Sequence, residues 1–145
     1  QGDAGLANSA RRAARELVQA HGDGSRVVFQ GAWGFQLYMQ QLGAERLRID
    51  GMQLLPGDLV ITPGTNTNLV ALPGSALEPV AIAEFPAGRF ATTLSKERGA
   101  GFYASLWGPL PFVFGPVPAE RYRVERVVEP LRLQLRPSPA SAPRR

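Results

Sequence analysis

Cysteine is absent from this chain of 145 residues, and histidine occurs once, as His21. The first absence excludes disulfide bonds, thiol catalysis and cysteine-ligated zinc. The second leaves one imidazole, which lies at the predicted end of the first helix, where a cation interacts favourably with the helix dipole. We therefore expect no metal centre, no cofactor and a structural role for His21.

The net positive charge of the chain comes from the last stretch of the sequence. The formal net charge is +4, and residues 131–145 contain four arginines and no acid, whereas residues 1–130 carry 12 basic and 12 acidic side chains. A basic tail is a poor substitute for a basic face with base-reading residues. We expect no nucleic-acid partner.

One stretch, residues 99–119, has no charge and is long enough to span a bilayer. It contains four prolines and four glycines, which would leave many backbone groups unpaired in lipid. The stretch is therefore predicted to be a loop-and-strand region of a soluble domain.

The first fifty residues follow a helix–strand–helix–strand order. Apolar residues recur at helical spacing after Asn8 or Ser9, either of which could cap a helix that stops near Gly22. A buried strand is predicted within residues 26–30, a helix over residues 33–42 and a second strand over residues 45–50. This order predicts a parallel strand pair with a right-handed crossover.

Strands dominate the rest of the chain. Pro56-Gly57 fits a type II turn before a strand at residues 59–62. Strands are also predicted at residues 68–72 and 79–85, around Tyr122 and Val124, and over residues 131–135, the last two near a sheet edge. Residues 92–97 are predicted to form a helical turn.

These patterns predict a single α/β domain. Its mixed sheet should have a parallel N-terminal half flanked by helices and antiparallel C-terminal strands. We expect residues 1–7 to be a flexible N-terminus, residues 8–136 to form the domain and residues 137–145 to be a disordered basic tail.

Two segments rich in glycine and aromatic residues, 31–38 and 99–112, hold both tryptophans. The Gly31-x-x-Gly34 junction could present backbone N–H groups to an anion or could serve tight packing. Trp33 could stack on a sugar, contact a partner or seal the core, and the second segment could cover a pocket, dock on a membrane surface or close one end of the core. The candidate binding residues are Gly31, Trp33, Gly34, Tyr38, Phe102, Tyr103 and Trp107.

Carboxylates are the remaining candidates for catalysis. Asp50, Asp58, Glu84 and Glu97 could act as acid–base groups, and a suitably spaced pair would allow glycoside hydrolysis. Asp58 follows Pro-Gly and is better explained as a turn residue. No serine or threonine has a nucleophile-elbow context, so no catalytic residue is assigned.

The two segments also carry a resemblance to a known family. They resemble the C-terminal soluble region of bacterial polytopic membrane proteins that are similar to dolichyl-phosphate-mannose-dependent mannosyltransferases. The resemblance covers roughly residues 8–125, about four-fifths of the chain. That family often has the sequence Gly-His-Trp-Gly-Phe at this point. This chain has Ala32 at the position of the histidine, so no imidazole chemistry carries over. The residues that carry the resemblance are Gly31–Met39, Leu55–Asp58, Gly101–Tyr103 and Gly108–Phe112.

The resemblance implies an accessory, non-catalytic domain on the extracytoplasmic face of the bacterial inner membrane, in the periplasm. It would bind the acceptor or the lipid-linked sugar donor, or stabilise the membrane part of its parent protein. Its partners would be the parent's transmembrane region and a glycan or polyprenyl-phosphate sugar. Two alternatives stay open: a stand-alone small hydrolase that uses carboxylates beside Gly31 and Trp33, and a protein-interaction module.

Overall fold

Helices and strands alternate early in the computed structural model, and strands follow. The structure describes residues 2–64, 69–86, 91–92, 94–95, 100–101, 113–114 and 119–134. Helix α1 spans Gly2–His21, α2 spans Trp33–Gln41, and a 3-10 helix spans Gly74–Ala76. The strands are β1 Val27–Phe29, β2 Glu45–Arg46, β3 Asp50–Leu54, β4 Leu59–Pro63, β5 Leu77–Phe85, β6 Ala91–Thr92, β7 Leu94–Ser95, β8 Ala100–Gly101, β9 Val113–Phe114, β10 Glu120–Val127 and β11 Leu131–Gln134.

The main sheet is mixed and has the strand order β2-β1-β4-β10-β5. Strand β1 pairs in parallel with β2 and β4, and β10 pairs antiparallel with β4 and β5. The predicted α/β domain with a parallel N-terminal half and antiparallel later strands is confirmed. Because β1, β2, β4 and β5 run in one direction, their last residues lie along one edge of the sheet, here called the carboxyl edge.

Both helices cover one face of this sheet. Helix α1 contributes small and branched residues such as Ala13, Ala14 and Leu17, and α2 contributes Phe35 and Met39. They pack on alternate residues of the strands, as the two-residue period of a strand requires. This helix-side core includes a cluster of rings near the start of β10. Tyr122 contacts Phe35 and Phe85, and Phe35 also contacts Phe29.

A two-stranded sheet of β3 and β11 pairs antiparallel beside the other face. Its buried side chains Met52, Leu54 and Leu133 pack with Val28 and Val60 in a second, strand-side core. Gly51, with φ of 97°, lies where the β3–β11 register shifts, so a residue without Cβ accommodates the extra residue in the strand. The main sheet is therefore enclosed between helices and a small second sheet.

A bulge in β5 moves its side chains from one core to the other. Val124 pairs with Ala81 and Glu125 with Pro79, so Val80 has no directly opposite residue. One extra residue reverses which face the following side chains occupy. As a result, Ala81 packs on the helix-side core, whereas Leu77 packs on the strand-side core.

Several boundaries differ from the sequence-based expectations. Helix α1 begins at Gly2 rather than near Asn8 or Ser9, so residues 2–7, expected to be a flexible terminus, are helical. Asp3, Ala4, Leu6 and Ala7 explain this start, because an acid favours the first turn and alanine and leucine favour helix throughout. The basic tail at residues 137–145 lies outside the described residues.

The strand predictions need three corrections. The strand expected at residues 45–50 is β2 and the start of β3, separated by residues 47–49. Residues 69–73 form no strand, because side-chain rather than ladder hydrogen bonds hold Val70. The helical turn expected at residues 92–97 is replaced by β6 and β7, which pair with β9 and β8.

Two further expectations concern exposure. Strand β10 lies inside the main sheet between β4 and β5, whereas it was expected near an edge. The helical spacing of Leu42 from Phe35 and Met39 predicts a core position, but Leu42 is 41% exposed because α2 ends at Gln41. No helix within the described ranges is long and apolar enough to cross a membrane.

Candidate functional site

The candidate site lies where β1 ends at the carboxyl edge and the chain turns into α2. In open α/β sheets, ligands bind in crevices outside the carboxyl ends of the strands. Gly31 has φ of 111°, a conformation that residues with a Cβ rarely adopt. It lets the chain turn from the end of β1 into α2, which begins two residues after Gly31.

Gly34 has a different role. A Cβ at Gly34 would meet only Cε2 of Tyr38 among the described atoms, at an ordinary 3.7 Å. The tight-packing interpretation of the Gly31-x-x-Gly34 junction therefore fails for Gly34. The first residue before α2, Ala32, gives the helix no side-chain cap, so the backbone N–H groups of the first turn have no capping side chain.

We predict opposite effects for alanine at these two glycines. Gly31→Ala should lower the free energy of unfolding by about 1–3 kcal/mol because it forces a residue with a Cβ into a strained conformation. Gly34→Ala should leave it unchanged or raise it by about 0.5 kcal/mol, since alanine favours helix more than glycine does. Urea unfolding of both variants measures this, and an equal loss in both would contradict it.

Gln30 is buried at the end of β1 and links two loops of the carboxyl edge. Its Oε1 accepts a hydrogen bond from Val70 N at 2.6 Å, and its Nε2 donates to Val70 O at 3.1 Å. The same Nε2 lies 3.4 Å from Thr62 Oγ1. One amide thus satisfies both main-chain groups of Val70 and positions the 69–73 loop against the sheet.

Val70 forms part of the wall of an open groove of about 710 Å³ beside the edge strand β2. Two glutamines on one face of α2, Gln36 and Gln40, form its second wall, and residues 44–50 form the rest. The spacing of four residues places the two amides one above the other on the helix. The groove therefore presents amide, guanidinium, carboxylate and apolar groups together.

Three of the four charged side chains that line the groove form ion pairs with one another. Arg48 Nη2 lies 3.7 Å from Glu45 Oε1, and Arg48 Nε lies 3.6 Å from Asp50 Oδ1. Glu45 Oε2 also lies 3.7 Å from Arg26 Nε. Within the described ranges, Arg46 has no carboxylate partner within 4 Å.

The predicted aromatic contacts are only partly described. Trp33 is the first residue of α2, one turn before Gln36, and its side chain lies outside the described part of the structure. Tyr38 is half-buried and packs against the helix-side core, on the far side of α2 from the two glutamines. Phe102, Tyr103 and Trp107 lie outside the described residues.

The structure describes the residues of the main sheet that flank the second aromatic segment. Phe85, the last residue of β5, pairs with Glu120, the first residue of β10. Both lie at the carboxyl edge, the edge at which Gly31 begins the turn into α2. The chain therefore leaves and re-enters the main sheet on the side of the candidate site.

The candidate carboxylates have structural partners. Asp58 Oδ2 accepts a hydrogen bond from Leu55 N at 2.9 Å and lies 3.5 Å from Arg26 Nη2, as expected of a turn residue. Glu84 Oε1 lies 2.6 Å from Arg121 Nε, and Glu97 lies outside the described residues. No group of histidine, aspartate and glutamate side chains in the described ranges could hold a metal ion.

Sequence reasoning missed the groove residues Gln36, Gln40, Arg46 and Arg48. Two signals were available: the amides recur at a spacing of four on a short helix, and the segment Glu45–Asp50 alternates charged and apolar residues. Neither signal shows that the helix and the segment lie side by side. Their proximity depends on the parallel pairing of β1 with β2.

The comparisons with known proteins give no relative. No protein-family model, curated protein or solved structure matches this chain.

Proposed function

We propose that this chain is a non-catalytic binding domain of a membrane glycosyltransferase-like protein on the extracytoplasmic face of the bacterial inner membrane. Its groove would hold the sugar of an acceptor or of a lipid-linked donor, and the transmembrane region of the parent protein would be its partner. The resemblance of the Gly31–Met39 and Gly101–Phe112 segments to that family supports the membrane context.

One observation carries the binding role: the groove combines the Gln36 and Gln40 amides with arginine and carboxylate groups and with apolar side chains such as that of Ile49. An amide both donates and accepts hydrogen bonds, a guanidinium group only donates them, and a carboxylate only accepts them. Sugar hydroxyls need both a donor and an acceptor, and the apolar groups can cover the C–H face of the ring. The groove is open, which suits one end of a larger molecule.

The rival hydrolase has less support in the described residues. Glu45 and Asp50 both line the groove, but they are exposed and share Arg48 as an ion-pair partner. A carboxyl group that acts as a general acid is commonly held in apolar surroundings. These two carboxylates instead have the surroundings of a polar binding surface.

A binding titration with matched variants tests the proposal. Binding of methyl α-D-mannopyranoside is measured by two-dimensional ¹H–¹⁵N NMR of the chain. The dissociation constant should be about 1 mM or weaker, as expected for an open polar groove. Gln36→Ala and Gln40→Ala should each weaken binding about threefold or more, since each hydrogen bond contributes about 1 kcal/mol.

Gln19→Ala is the control, because Gln19 is an exposed glutamine on α1, away from the groove. It should bind the sugar as the unaltered chain does. If α-mannoside, β-glucoside and N-acetylglucosamine probes all fail to shift any groove signal, the binding role is wrong.

A further inference from the structure

Among the described residues, the charges that line the groove balance. Glu45 and Asp50 carry two negative charges, and Arg46 and Arg48 carry two positive charges. Sites that bind phosphate groups instead accumulate uncompensated positive charge or main-chain N–H groups. On charge alone, the groove attracts neither sign.

The pairing within the groove strengthens this point. Arg48 lies between two carboxylates, at 3.7 Å from Glu45 and 3.6 Å from Asp50. A phosphate that approached Arg48 would meet both carboxylates and would have to displace them. Of the two groove arginines, Arg46 alone has no carboxylate within 4 Å among the described residues, and a single exposed guanidinium binds phosphate weakly in salt.

The uncharged part of the groove fits a neutral polar ligand. Gln36 and Gln40 offer two amide donors and two amide acceptors, and Ile49 is 37% exposed beside them. Arginine and carboxylate groups that already neutralise each other can still bind hydroxyl groups, since each keeps unused hydrogen-bonding positions.

From this arrangement we infer that the groove recognises an uncharged sugar unit and excludes the phosphate of a lipid-linked donor. The inference rests on the proposed function and narrows it to the neutral glycan of an acceptor. Asp50 and Glu45 are then specificity-determining residues, because their charge opposes a phosphate that Arg48 would otherwise bind.

Two probes that differ only at the anomeric position test the inference. Methyl α-D-mannopyranoside carries a methyl group where α-D-mannose 1-phosphate carries a dianionic phosphate. Both are titrated into the ¹⁵N-labelled chain at 20 mM and 300 mM NaCl. We expect the methyl glycoside to bind at least as tightly as the phosphate, with less than about a twofold change between the two salt concentrations.

The variant Asp50→Asn supplies a gain-of-binding test. Asp50 is an exposed residue of β3, so the fold should tolerate the amide. With one carboxylate removed from Arg48, affinity for mannose 1-phosphate should rise about threefold to tenfold at 20 mM NaCl and fall again at 300 mM. The methyl glycoside carries no charge and should show no such salt-dependent gain. Glu78→Gln, which removes one carboxylate from an exposed β5 residue that does not line the groove, is the matched control and should leave both affinities as they are.

The outcomes separate the two proposals. If mannose 1-phosphate binds the unaltered groove ten times more tightly than the methyl glycoside and loses affinity in salt, the neutral-sugar inference is wrong while the binding role stands. An Asp50→Asn variant without any gain in phosphate affinity also overturns the inference. If neither probe shifts a groove signal and the β-glucoside and N-acetylglucosamine probes also fail, the proposed function fails together with the inference.

Discussion

Tyr122→Ala should lower the free energy of unfolding by about 3–5 kcal/mol, the range found when a large aromatic residue is removed from a core. Tyr122 is fully buried. The centroid of its ring lies 5.0 Å from the ring centroid of Phe35 and 5.7 Å from that of Phe85. It thus joins the start of α2, the end of β5 and the start of β10. Urea unfolding followed by circular dichroism measures the loss.

Tyr122→Phe separates the ring from its hydroxyl group. The hydroxyl donates a hydrogen bond to Glu120 Oε2 at 2.8 Å, so its removal should lower stability by about 1 kcal/mol. Losses of similar size in the alanine and phenylalanine variants would show that ring packing at the carboxyl edge contributes little. That result would contradict the fold described above.

Tyr122 should also make stability depend on pH in alkaline solution. Burial raises the pKa of the Tyr122 phenol above its usual range, and the nearby Glu120 carboxylate raises it further. A raised pKa in the folded state stabilises the chain fully below the unfolded pKa of about 10, and this stability is lost as pH rises above it. The Tyr122→Phe variant should therefore lose less stability between pH 9 and pH 11 than the unaltered chain does.

Gln30→Leu should lower the free energy of unfolding by about 2–4 kcal/mol, because leucine has a similar size but cannot satisfy the two main-chain groups of Val70. Because Val70 lines the groove, the same change should weaken binding of methyl α-D-mannopyranoside by about threefold or more, as expected when a positioned wall becomes mobile. Unfolding and NMR titration report the two effects.

The matched control for this variant is Gln19→Leu. Gln19 is exposed on α1, so the same chemical change should alter stability by less than about 0.5 kcal/mol. If Gln30→Leu also had so small an effect, the Gln30 amide would not hold the 69–73 loop in place. An intact affinity in a destabilised Gln30→Leu variant would show that Val70 is not needed for binding.

Local signals account for the parts of the fold that the sequence predicted well. The apolar run Val27–Phe29, the glycine at position 31 and the Pro56-Gly57 turn each act within a few residues. Gly57 has φ of 97°, and Asp58 N donates to Leu55 O at 3.0 Å, as a type II turn requires. The alternation of Tyr122 and Val124 likewise identified the face of β10 that packs on the helices.

Non-local pairing explains what the sequence did not predict. The alternation in β10 also suits an edge strand, and only its pairing with both β4 and β5 places it inside the sheet. The bulge at Val80 carries no glycine, and the adjacent Pro79 suits an edge strand as well as a bulge, so the sequence did not identify it. The groove was missed for the same reason, since its walls come from α2, the β2 region and Val70.

The interpretation of the two aromatic segments stays partly a prediction. Gly31, Trp33 and Gly34 lie together at the start of α2, while Tyr38 faces the helix-side core. Tyr38 therefore packs on the core side of α2, and the ligand contacts that we propose on this helix are those of Gln36 and Gln40. Aromatic contacts with a sugar or with the parent's membrane region remain a prediction for Trp33 and for Phe102, Tyr103 and Trp107.

We propose that this domain binds a sugar in the groove beside α2 and leaves it chemically unchanged. A single ¹H–¹⁵N NMR titration with an α-mannobiose tests it, with the ligand's own proton signals followed overnight in the same sample. We predict shifts confined to residues 36–50 and 69–71, together with unaltered ligand signals. Shifts centred on the exposed face of β5, or the appearance of free mannose, would contradict the claim.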